Sequence, residues 1–239
     1  MSEIFMEPDK PNFIWNGKNA VEDFELTVEE EIEEVSPNER FNEIVVPGRN
    51  GFLTEWDGDY DEYPLVIKSC NIPYERLAEV KRWLRGRGQL ITHNDTDKYR
   101  DCVCNINKPL PFKNEWGVFY TFDIEFKCQP LRKKVNDIPH SLTSIQKIIT
   151  NHGDETCRPD FEIISNGGDI KIQVNKKELI LLDTPKGVIF VYSELGKVAS
   201  SQKYIRSKGE WPSMEMGENT VSVKGDYQEV KMWKRSVWF

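Results

Sequence analysis

Between residues 46 and 67 the sequence reads VPGRNGFLTEWDGDYDEYPLVI, and five carboxylates, Glu55, Asp57, Asp59, Asp61 and Glu62, crowd beside Trp56. Three chemistries are open to such a cluster. Asp57, Asp59 and Asp61 have the alternate spacing that opens an EF-hand calcium loop, but the sixth position of that loop needs glycine and holds Glu62, and the twelfth needs a bidentate glutamate and holds Lys68. A calcium loop of that type cannot close. A pair of carboxylates could serve as general acid and base if their environments drove their proton affinities apart, which crowding alone does not do. The third reading is a solvated turn, since Asp, Asn and Gly are the residues that turns require for backbone reasons. The turn is preferred.

The remaining reactive side chains are few. The chain has five cysteines, Cys70, Cys102, Cys104, Cys128 and Cys157, an odd number without a C-x-x-C pair, which points to free thiols in a reducing cytoplasm rather than a disulfide framework. Cys102 and Cys104 fall on one face of a strand, yet two further ligands for a metal are not evident, so buried structural thiols are expected. Histidine occurs only at positions 93, 140 and 152, and no glycine-rich phosphate loop, G-x-S-x-G or H-E-x-x-H is present. Neither a catalytic constellation nor a cofactor or metal site is expected.

These residues sit in a chain of 239, long enough for two ordinary domains, and 38% of its residues are hydrophobic. No apolar run approaches the roughly 18 residues of a membrane span. The first residues, MSEIFMEPDKPNF, are acidic rather than basic and then apolar, so neither a secretion signal nor an anchor is expected. Charge divides the chain: residues 1–130 carry 15 basic and 26 acidic side chains, net −11, and residues 131–239 carry 17 and 14, net +3. Tight nucleic-acid binding needs a basic footprint, which the first half lacks.

The elements that must position these groups are mostly strands. Asn16-Gly17 predicts a hairpin, and Phe24, Leu26 and Val28 alternate with charged residues as in a half-buried strand. The run Glu29, Glu30, Glu31, Glu33 and Glu34 is expected to cover a solvated strand face or edge. FNEIVVPGRNG continues as a strand ended by Pro47-Gly48, and YPLVIKSC is another. One helix is predicted in NIPYERLAEVKRWLRGRG, with Asn71 as cap, Pro73 in the first turn, Leu77, Val80 and Leu84 on its core face, and Gly86 as its stop. Trp83 is expected in the core. In WGVFYTFDIEFKCQP, Val118, Tyr120, Phe122, Ile124 and Phe126 alternate as in an antiparallel sheet. PLRKKVNDIPHSLTS lacks either period and reads as a connection, giving domains over 1–132 and 133–239. Beyond it, short strands separated by Asn-Gly, Gly-Gly and Pro-Lys-Gly turns predict a β-sandwich.

The order FIWNG, DFELTVEE, VPGRNGFLTEWDGDYDEYPLVI, VKRWLRGRGQLI and YTFDIEFKCQP resembles the N-terminal domain of the distal tail proteins (Dit) of siphophages and prophages of Gram-positive bacteria. IITNHGDETCRPDFEIISNGGDIKIQVN, GVIFVYSE and GEWPSMEMGENTVSV are similar to the C-terminal galectin-like or carbohydrate-binding-module-like sandwich of the same family. The resemblance covers essentially the whole chain.

It implies a mainly β protein, with a tail-tube-like sheet flanked by one helix and an extended hairpin that clasps a neighbouring subunit. It also implies a homo-hexameric ring at the virion tail tip, assembled in the host cytoplasm. Such a ring joins the tail tube protein to a tail-associated lysin or fibre protein, lets DNA pass without specific binding, and involves no membrane and no catalysis. Glu29, Glu30, Glu31, Glu33, Glu34 and Phe41 are the candidate oligomer contacts, the glutamate run belonging either to the hairpin arm or to the channel wall. The competing function is recognition of a cell-wall saccharide by the second domain, for which Trp211 and Tyr192, with Trp233 and Trp238, are the aromatics to consider. Packing is the preferred role for them.

Overall fold

The computed structural model describes residues 6–7, 9–105, 108–201 and 203–239; the side chain of Asp57 lies outside that description, as do the first five residues of the acidic N-terminal stretch. The chain divides into two compact units, one of Met1–Arg132 with Phe239 and one of Lys133–Trp238. No helix among the described residues is long and apolar enough to cross a membrane.

The first unit runs β1 (Phe13–Trp15), β2 (Lys18–Asn19), α1 (Ala20–Phe24), β3 (Thr27–Val28), β4 (Glu39–Val45), β5 (Phe52–Tyr60), β6 (Tyr63–Pro73), α2 (Leu77–Trp83), β7 (Arg87–Thr92), β8 (Lys98–Cys104), β9 (Lys113–Glu115) and β10 (Phe119–Cys128). An antiparallel sheet takes the order β2-β1-β7-β8-β10-β6-β3, with β9 on the edge of β10, while β4 and β5 form a separate two-stranded sheet. Alternation does the sorting: Leu65 and Ile67 of β6 and Phe122, Ile124 and Phe126 of β10 point inward and are buried. Val118 falls in the turn before β10 and is exposed, so the alternating run begins later than its pattern predicts.

Asn16-Gly17 closes the β1–β2 hairpin, but the expected strand after it is first a short helix. Asn19 causes this: its side-chain oxygen accepts from the Val21 and Glu22 amides, capping α1 and placing Phe24 in the core. The predicted cap of the second helix is corrected too. Asn71 lies within β6, where its amide donates to Glu29 and accepts from the Thr121 hydroxyl, and the helix enters through a single 3-10 turn over Tyr74–Arg76. Val80 and Leu84 are buried, with Leu84 just past the last helical residue, and Leu77 packs on the same core. Trp83 stacks on Phe13 and Phe24, and its indole donates to the Trp15 carbonyl while the Trp15 indole donates to the Trp83 carbonyl. That reciprocal pair ties α2 to β1 without leaving an indole proton unsatisfied.

β11 (Arg132–Lys134) carries the chain between the units, within the stretch read as the connection, which contains strand although it lacks either period. The second unit holds β12 (His140–Leu142), β13 (Lys147–Asn151), β14 (Asp160–Ser165), β15 (Gly168–Val174), β16 (Lys177–Thr184), β17 (Gly187–Tyr192), β18 (Lys197–Ser200), β19 (Arg206–Gly209), β20 (Gly217–Lys224), β21 (Tyr227–Trp233) and β22 (Val237–Trp238). Two antiparallel sheets, β12-β21-β14-β17-β18 and β13-β20-β15-β16-β19, form a sandwich. Phe161, Ile163, Val230 and Met232 of one share a single buried cluster with Ile172, Leu181, Val221 and Val223 of the other. Gly209 is obligatory there, because its positive φ and the close Glu178 carbonyl leave no room for a Cβ.

Candidate assembly surface

The two-stranded sheet of β4 and β5 is an arm whose side chains lie outside the core of the first unit. Its tip is the turn VPGRNG, in which Gly48 and Gly51 both take φ near +81°. Register pairs Phe41 with Trp56, Glu43 with Thr54 and Val45 with Phe52, which places Phe41, Val45, Phe52 and Trp56 on one face. Ile44 pairs with Leu53 on the other. All six are exposed, Val45 to 77%. An isolated hairpin that presents this much apolar surface to water is marginal by itself, and among the described residues β4 and β5 pair only with each other.

The acidic cluster is the base of this arm. Arg40 on β4 reaches across to Asp59 at 2.8 Å and Asp61 at 2.7 Å, and the Asp61 amide donates to the Asn38 carbonyl at 2.9 Å. Glu62 pairs with Lys127, and the hydrogen bond from that ammonium is the first cause holding its carboxyl below the ordinary range. Trp56 caps the group, its indole donating to the Asp59 carbonyl and its ring meeting Tyr60 edge-on. Asp59 and Asp61 share the single Arg40 cation and Glu62 has Lys127, so the expected solvated turn is instead the end of a strand, the short link after it and their ionic footing. The Lys127 ammonium thus favours the ionised Glu62 carboxylate, the opposite of the raised proton affinity a general acid needs.

The glutamate run behaves differently from its expectation as a strand face. Residues 29–38 run outside any helix or strand, a strap whose Ile32 is buried while each named glutamate is fastened to the unit's own residues. Glu29 accepts from Asn71 at 2.7 Å, Glu30 from the Ser69 hydroxyl at 2.6 Å, and Glu31 meets His93 Nε2 at 2.7 Å. Glu33 pairs with Lys68 at 3.4 Å, and Glu34 with Arg100 at 2.5 Å. The Asn94 amide donates to the Ile32 carbonyl at 2.8 Å. Of the predicted oligomer contacts, only Phe41 thus stands on the arm, whose paired strands span 39–60. The anchors were missed, although one signal existed: Arg100 shares the inward register of β8 with Cys102 and Cys104.

The aromatics of the second unit do not converge on one recognition feature in their packing. Trp211 packs against the sandwich core, Tyr192 lies in offset alignment with Phe190 along β17 at 6.2 Å, and the Trp238 indole donates to the His152 carbonyl. Trp233 ends β21 half-buried. All five cysteines are free and buried, and no group of three or more His, Cys, Asp and Glu among the described residues could hold a metal ion.

A scan against family models finds no match, and a search of curated proteins finds none. Among solved structures, the crystal structure of SPP1 Dit (gp 19.1), described as a paradigm of hub adsorption apparatus in Gram-positive infecting phages, superposes with a TM-score of 0.71. It covers 93% of this chain and 98% of that chain at 12% sequence identity. At that identity the likeness is one of fold: over nearly its whole length this chain has the mainly β fold of a phage distal tail protein, the one its ordered motifs resemble.

Proposed function

We propose that the chain is a structural subunit of a siphophage tail tip, six copies of which close head-to-tail into a ring between the tail tube protein and a tail-associated lysin or fibre protein. The number six comes from the resemblance. The observation that carries the proposal is the β4–β5 arm, whose Phe41, Val45, Phe52 and Trp56 form an exposed apolar strip. A head-to-tail ring supplies that cover, because each subunit then offers two different surfaces and every arm meets a neighbour. The N-terminal unit forms the ring and the C-terminal sandwich is galectin-like. With a net charge of −11 over residues 1–130, the first unit gives passing DNA no phosphate-binding footprint. The protein works at the virion tail tip after assembly in the host cytoplasm, without catalysis. Packing of Trp211 on the sandwich core favours this scaffold role over saccharide recognition.

The test shortens the arm at residues 42–55 to an Asn-Gly turn and compares both proteins by native mass spectrometry and electron microscopy. Closed rings of six from the parent and folded monomers from the variant are expected. Rings from the shortened protein, or closed dimers only from the parent, would overturn the proposal.

A further inference from the structure

Cys102 and Cys128 are directly opposed in the β8–β10 ladder, their sulfurs 2.9 Å apart. They are the last paired residues on that side of it, followed by one further bond from the Gln129 amide to the Asp101 carbonyl at 2.8 Å. That bond joins the residue after Cys128 to the residue before Cys102, so the cysteines form a non-hydrogen-bonded pair, the narrow kind. The Cα separation of such a pair is about 4.5 Å, inside the window of roughly 4.4–6.8 Å that a disulfide accepts. No backbone shift is needed to bring them together. Cys104, two residues on, faces Phe126 instead.

The surroundings suit a thiol pair that is quiet until oxidised. The hydrogen bond between the two sulfurs, then burial, keeps the Cys102 thiol protonated, while the Arg100 guanidinium acts in the opposite sense and favours a thiolate. An open cleft of about 670 Å³ is lined by Asp101, Cys102, Val103, Lys127 and Gln129, so Cys102 is the member of the pair that borders open space. The geometry points to Cys102 and Cys128 as an oxidisable pair that closes into a cross-strand disulfide, a covalent staple set in the first unit once the protein leaves a reducing compartment.

With hydrogen peroxide as oxidant the Cys102 thiol gives up its proton and the thiolate attacks one peroxide oxygen. The O–O bond breaks, and the departing hydroxide takes up that proton and leaves as water, giving a sulfenic acid. The Cys128 sulfur then attacks the sulfenic sulfur, its proton and the hydroxyl leave as a second water, and the S–S bond forms. Two thiols are oxidised and one peroxide is reduced to two waters.

The full-length protein is purified under reductant, exposed to dilute hydrogen peroxide, and read by thiol count, intact mass and non-reducing tryptic mapping. Expected are a fall from five free thiols to three, loss of two hydrogens, and a linked pair of peptides, DCVCNINKPLPFK (residues 101–113) and CQPLR (residues 128–132). The Cys104→Ser protein should keep the link and the Cys102→Ser protein should lose it, with the oxidised parent melting higher than the reduced. Fragment-ion sequencing of the parent's linked peptides, which breaks the chain at Val103 between Cys102 and Cys104, decides the matter even if a serine variant fails to fold. Five thiols persisting in the folded protein at a peroxide dose that oxidises it in urea, or a link running from Cys104, would overturn the assignment.

Discussion

The Arg100 guanidinium, only 1% exposed, holds the Glu34 carboxylate at 2.5 Å and so fastens the strap to the sheet beneath it. Its other donors reach the Tyr63 hydroxyl at 3.0 Å and the Thr92 hydroxyl at 3.2 Å, so the buried cation is satisfied on three sides. A buried guanidinium that loses its carboxylate keeps the cost of burial without the compensation. Glu34→Gln should therefore destabilise the first unit by about 1–3 kcal/mol, allowing for the part of Glu34 that faces water. Glu33→Gln, whose partner Lys68 is exposed, should change stability by less than about 0.5 kcal/mol. Urea unfolding of the two variants checks the difference, and equal effects would show that the strap is not anchored at Arg100.

Truncating Leu84 should cost more than its position just past α2 suggests. Its side chain is buried beside Val80, so Leu84→Ala opens a cavity and should destabilise the first unit by about 2–5 kcal/mol. Glu79→Ala removes only a surface pair with Arg76 and should cost less than about 0.5 kcal/mol. Thermal and chemical melts of both proteins read the contrast.

A single charge on the arm should act on assembly and leave folding alone. Val45→Glu alters a side chain outside the core, so its melting temperature should match the parent's within about 1–2 °C while its ring population falls. Analytical ultracentrifugation at matched concentration distinguishes this from a variant that merely unfolds.

A fragment of residues 133–239 should fold by itself, because both of its sheets share one core drawn from that segment alone. A sharp, cooperative melt with dispersed amide resonances is expected. Limited proteolysis of the whole chain should cut within residues 135–139, between β11 and β12, where Ile138 is exposed.

Acid should weaken the second unit through His140. Burial, then Lys234 and Lys147, lowers its proton affinity below the ordinary value of 6.5. Between that lowered value and 6.5 the unfolded chain binds more protons than the folded one, so stability falls as pH drops through 6.5. His140→Gln should flatten that dependence between about pH 5 and 7. An unchanged pH profile for the variant's melting temperature would assign the dependence to other groups.

Much of the molecule is written in local pattern. Two-residue alternation in β6, β10, β14 and β20 places their inward side chains, since a one-residue slip would turn each apolar set to water. The spacing of Leu77, Val80 and Leu84 and the turn residues Asn16-Gly17 are equally local, and the order of such motifs along the chain carried the resemblance to distal tail proteins. Tertiary structure decided the rest. Whether Glu29–Glu34 would be a strand face or a strap depended on Arg100, His93, Ser69 and Asn71, all supplied from residues 69–100. Likewise the acidic cluster became the footing of an arm because Arg40 came within reach of Asp59 and Asp61. Periodicity records which face of one element is apolar, but a charge finds its partner only when distant strands are brought side by side, and no local pattern encodes that distance.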